Sequence, residues 1–128
     1  MQDLLSEPTS DASIAQALAQ THQRINQACA CAGRDHSAVR LLAVSKTKPL
    51  SAVNQAYQFG QRHFGENYLQ DALNKIEHCA FNDVHWHFIG AIQSNKTKTI
   101  AHHFDWVHTL DRLKIARRLS EQRPDNMP

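Results

Sequence analysis

Strong net charge is missing from this 128-residue chain: 14 Lys and Arg stand against 12 Asp and Glu, a formal +2 with nine histidines neutral. So small an excess argues against a surface built on electrostatic attraction to nucleic acid or to a membrane. Apolar runs are short, and none approaches the roughly 18 residues that a membrane-spanning helix needs. Met1 to Ser10 contains Asp3 and Glu7 and no basic segment, so it does not read as a secretory signal. Cysteine is scarce. Cys29, Cys31 and Cys79 are an odd count without framework spacing, which predicts free thiols and a reducing, cytoplasmic setting. Cys29-x-Cys31 has no second pair to complete a metal site. A Walker A loop, GxGxxG, GxSxG and HExxH are also absent, which removes the common nucleotide-binding, hydrolase and zinc-protease readings.

What is present suffices for one domain over residues 1–128, with 41% hydrophobic residues. The first ten residues read as a frayed start. Ser10 or Asp11 then caps a helix whose Ile14, Ala17, Leu18, Thr21, Ile25 and Ala28 share a face, and Gly33 stops it. Val39 to Val44 (VRLLAV) reads as a strand buried on both faces. Pro49 opens a helix that carries Leu50, Val53, Ala56 and Tyr57 up to Gly60. His63-Phe64 is a second strand, followed by a helix with Leu69, Ala72, Leu73 and Ile76 inward. His85 to Ile89 is a third strand, and Ser94 caps the next helix. Asp105 to His108 is a fourth strand. Thr109 or Asp111 caps a last helix with Leu113, Ala116 and Leu119 inward, and the residues from Arg123 form a loop. A helix followed by four strand–helix units predicts a parallel α/β sheet, either open and doubly wound or a stretch of (β/α)8 barrel.

Lys46 follows the first strand directly, where α/β folds place their working residues. An ammonium partly desolvated there, and two residues from Lys48, is biased toward the neutral amine that attacks aldehydes. A solvated strand-end lysine is the plain alternative, and the residues alone leave both open. Asn67, after Phe64-Gly65-Glu66, offers a donor and an acceptor to a ligand, or it caps the helix starting at Tyr68. His85 and His87 point the same way on a strand, but no third ligand is evident, so hydrogen-bonded or pocket-lining histidines are the better reading. Gln93-Ser94-Asn95-Lys96 opens a helix at which an anion could sit, or is an ordinary capped start. Arg112, Lys114, Arg117 and Arg118 read as a solvated face.

Together, LLAVSKTKP (41–49), FGENY (64–68), HWHFIG (85–90), QSNK (93–96), Asp105-Trp106 and Thr109-x-Asp111-Arg112 resemble the YggS/PROSC family of pyridoxal-phosphate (PLP) homeostasis proteins. The resemblance covers nearly all of the chain after about residue 15. It implies four strand–helix units of a TIM barrel of the alanine racemase N-terminal type, preceded by a helix. It implies PLP held as a Schiff base on Lys46, with Asn67 near the cofactor, and PLP-dependent apoenzymes as partners. No turnover is implied, although a racemase-like PLP enzyme is an alternative. Family members continue through a second half of the barrel that carries the phosphate-gripping segments, so this chain reads as a truncated barrel. The full-length family is expected to be monomeric. For this length a second copy or another chain is a further expectation, as is a cofactor-free half-barrel that depends on such a partner.

Overall fold

A computed structural model describes residues 11–128; the frayed start and Ser10 lie outside them. The elements run α1 (Asp11–Cys31), β1 (Ala43–Val44), α2 (Leu50–Gln58), β2 (His63–Glu66), α3 (Leu69–His78), β3 (His85–Phe88), α4 (Thr97–His103), β4 (Trp106–Val107) and α5 (Leu113–Gln122), with 3-10 turns at His36–Ala38 and Ser94–Lys96. The four strands are parallel and adjacent in chain order, β1-β2-β3-β4. That order has no switch point, so the doubly wound alternative falls. Right-handed crossovers between strands in this order put the connecting helices on one face of the sheet.

The core lies on that face. Phe64, Trp86 and Phe88 from the strands meet Val53 and Ala56 of α2, Ala72 of α3, Ile100 of α4 and Ile115 of α5, all buried. Phe88 meets Phe104 edge-on at 5.2 Å between ring centroids. The N-terminal helix packs on α2 and carries its inward stripe through Ile14, Leu18, Thr21, Ile25 and buried Cys29. Ala17 and Ala28, expected inward, are exposed. Gly33 terminates the helix as expected: its φ is +65°, and the Arg34 amide donates back to the Cys29 carbonyl at 2.8 Å.

Several expectations need correction. The first strand pairs only over Ala43–Val44, and Val44 is half exposed, because β1 has a neighbour on one side only among the described residues. Conversely, β2 runs on through Gly65 and Glu66, since both continue the ladder with β3. Pro49, by contrast, stands where expected, at the cap position from which α2 begins. Ser94 lies in a 3-10 turn and does not cap α4, a helix of seven residues. Neither Thr109 nor Asp111 caps α5: Thr109 spends its hydroxyl on the Gly90 carbonyl. The phase of α5 also differs. Leu113 is 71% exposed while Ile115 is buried, with Leu119 one turn on.

Candidate functional site

The loops after the four strands gather at one end of the sheet, the end where parallel α/β folds build sites. They are tied together by backbone. The Ser45 amide donates to the Gly65 carbonyl (3.0 Å), Ile89 to Glu66 (2.9 Å) and His108 to Phe88 (3.1 Å). Lys46 and Asn67 therefore stand beyond the ends of neighbouring strands, as the sequence places them.

Lys46 is exposed and has no hydrogen-bond or ion-pair partner among the described residues. The expected partial desolvation is thus not found. Lys48 turns instead toward a groove of about 400 Å³ between α1, β1 and α2. Lys46 occupies the first corner of a turn closed by the Lys48 amide on the Ser45 carbonyl (3.0 Å). At the second corner Thr47 has φ of +64°, alone among the described non-glycine residues in the left-handed region.

Asn67 does not cap α3, whose cap position is Tyr68 without a side-chain bond. Its Oδ1 is buried and has no partner among the described residues. Asn67 borders a cavity of about 390 Å³ with Tyr68, Phe88, Gln93 and Lys96. Two of the four residues in the QSNK segment therefore line the same cavity as Asn67. A helix-terminus anion site has no long helix to build on there.

Behind the Lys46 turn lies a buried polar cluster that the sequence reading missed. Glu66 is fully buried, and Lys75 and Ser45 nearly so. Lys75 Nζ donates to Glu66 Oε2 (2.8 Å) and to the Ser45 carbonyl (2.7 Å), with Asp71 Oδ2 at 3.1 Å on the solvent side. The Ser45 hydroxyl also donates to Glu66 Oε2. Lys75 sits between Ala72 and Ile76 on the inward stripe of α3, and that position was the available signal.

The opposite face of the sheet carries histidines. Register places His63 beside His85, and His87 between Gly65 and Trp106. His63 Nδ1 and His87 Nε2 are 2.9 Å apart, and His87 Nδ1 and His108 Nε2 2.8 Å. Trp106 stacks on His87 with centroids 5.8 Å apart. Burial, then the neighbouring His63 and His108, hold the His87 pKa down to about 4. Burial and Arg40 lower that of His63. Both shifts favour the neutral imidazole at His63 and His87, and no metal-holding group of three ligands occurs among the described residues. Nor is any described helix long and apolar enough to cross a membrane.

Comparison with known proteins gives this end of the sheet a context. No family model matches the chain. It is 59% identical over 115 residues to the pyridoxal phosphate homeostasis protein of Pseudomonas aeruginosa, covering 90% of this chain and 50% of that protein. The protein of the same name from Escherichia coli K12 is 51% identical over 118 residues, with 90% and 50% covered. The chain is a homologue of the pyridoxal phosphate homeostasis proteins. Its backbone matches PipY of Synechococcus elongatus, solved with PLP bound, at a TM-score of 0.70 and 39% identity over 85% of this chain and 47% of PipY. A structure of an unknown protein from Bifidobacterium adolescentis matches at 0.76 and 28% identity, over 94% and 55%. The chain spans about half the length of the curated homologues it matches.

Proposed function

We propose that this chain binds PLP through Lys46 and serves PLP homeostasis. One observation carries the reading. A lysine and a buried asparagine oxygen, neither with a partner among the described residues, stand at the ends of adjacent strands, in a chain homologous to proteins named for that cofactor. The residues fit such a group in kind. When bound, PLP supplies an aldehyde that a lysine amine captures reversibly as a Schiff base. Lys46 offers that amine from a fixed turn, and the Asn67 amide offers an unspent acceptor for a ring substituent. Gln93 and Lys96 line the cavity beside Asn67, where they can hold polar groups of a ligand.

On this reading the four strand–helix units are a segment of a (β/α)8 barrel, supported by the sequential parallel order and the likeness to PipY. The recipients of the cofactor are PLP-dependent apoenzymes, and the compartment is the cytoplasm, in keeping with free Cys29, Cys31 and Cys79. Release requires only that an incoming amine displace Lys46, without a substrate bond breaking. An absorbance titration with PLP tests this. Saturable growth of a Schiff-base band in the native chain, lost in Lys46→Ala, is expected; a band unchanged by the substitution overturns the assignment.

A further inference from the structure

A turn with a β-branched residue at positive φ is intrinsically unfavourable and persists only where its surroundings over-determine it. The 45–48 turn is exposed on its outer side, with Lys46 and Thr47 both in solvent. Its restraint comes from below. The Ser45 carbonyl accepts twice, from the Lys48 amide within the turn and from the Lys75 ammonium in the core. The Ser45 hydroxyl is held by the same Glu66 oxygen that pairs with Lys75.

We propose that the buried Lys75–Glu66 pair is the positioning device for Lys46: it holds the carbonyl and the hydroxyl of Ser45 and so fixes the strained turn that presents the amine. The proposal rests on the reading of Lys46 as the PLP-bearing residue. Two charges this deep are a costly way to obtain stability alone, since well-packed neutral replacements often do as well. A charge-assisted bond to one carbonyl, however, fixes the backbone next to Lys46. Lys75 and Glu66 come from α3 and β2, so the clamp also ties the end of β1 to its neighbouring unit. Neither residue touches the cofactor in this account; they act through Ser45.

The test removes both charges together, because leaving one buried and unpaired would confound it. Glu66→Gln with Lys75→Met keeps an acceptor for Ser45 but deletes the bond to its carbonyl. The 128-residue chain is exposed to limiting PLP, reduced with borohydride and mapped by peptide. With cooperative urea unfolding retained, the double variant is expected to label Lys46 at least ten-fold more slowly, with label spreading to other lysines. Adding Thr47→Asn, which tolerates positive φ, is expected to recover part of that loss, as a merely structural role would not. Labelling of Lys46 at the native rate in the folded double variant overturns the proposal. Should the double variant not fold, amide hydrogen exchange of the native chain decides. A Lys48 amide protected like those of the strands supports the clamp, and one exchanging as in a free loop refutes it. Failure of the native chain to label Lys46 at all counts against PLP binding, and the Lys48 amide still reports on the clamp separately.

Discussion

A Cβ placed on Gly90 would lie 2.5 Å from the carbonyl oxygen of Asn67 and 2.9 Å from its Cα. The chain leaving β3 is thus seated directly on the backbone leaving β2, at the candidate site. Backbone cannot step aside as a flexible side chain can. Gly90→Ala is expected to lower stability by about 1–3 kcal/mol and to slow labelling of Lys46 and shift the Asn67 amide resonance. A urea midpoint equal to that of the native chain would show that the contact is slack.

The histidine face predicts a pH dependence. His87 titrates at about 4 in the folded chain, chiefly because it is buried, against an ordinary value of 6.5. The unfolded chain therefore binds the proton first as pH falls. Stability is complete above about 6.5 and declines as pH drops from there toward 4. At about 1.4 kcal/mol per pH unit, and with solvent screening reducing it, the loss is at most about 3 kcal/mol. His87→Gln is expected to flatten that decline in urea titrations between pH 7 and about 4. A slope in that window untouched by the substitution would contradict the assignment.

The phase of α5 is open to a paired test. Ile115 is 1% exposed and Leu113 71%. Ile115→Ala is expected to cost about 2–5 kcal/mol, and Leu113→Ala less than about 0.5 kcal/mol. Equal effects on the denaturation midpoint would mean that the helix presents a different face.

Because Lys46 is exposed and has no partner among the described residues, its loss leaves their packing intact. Lys46→Ala is expected to unfold within about 0.5 kcal/mol of the native chain while losing the Schiff-base absorbance. A large drop in stability would contradict this and assign the residue a structural part.

Alternation of short apolar runs with amphipathic stretches made the strand–helix units legible, since period 2 and period 3.6 leave different marks. Leu69, Ala72 and Ile76 on α3 show it most clearly. Burial on both faces misled at Val44, because a run of apolar residues does not reveal whether a strand has one neighbour or two. Leu113 misled for a related reason: at the first turn of a helix an apolar side chain need not reach the core. Lys46 and Asn67 stood out through their positions after strands. The cluster behind them did not, since Glu66 and Lys75 look like ordinary surface charges until β2 and α3 are packed together. His63 and His108 escaped notice likewise, because only strand register joins them to His87.

The point at which PLP attaches is the most direct test of Lys46 as the site. Borohydride reduction of the native chain at near-stoichiometric PLP, followed by peptide mapping, locates the bond. A single pyridoxyl adduct on Lys46, within the peptide that carries Ser45 and Thr47, is the predicted result. Label scattered over surface lysines such as Lys98 and Lys114, or no label, would contradict it.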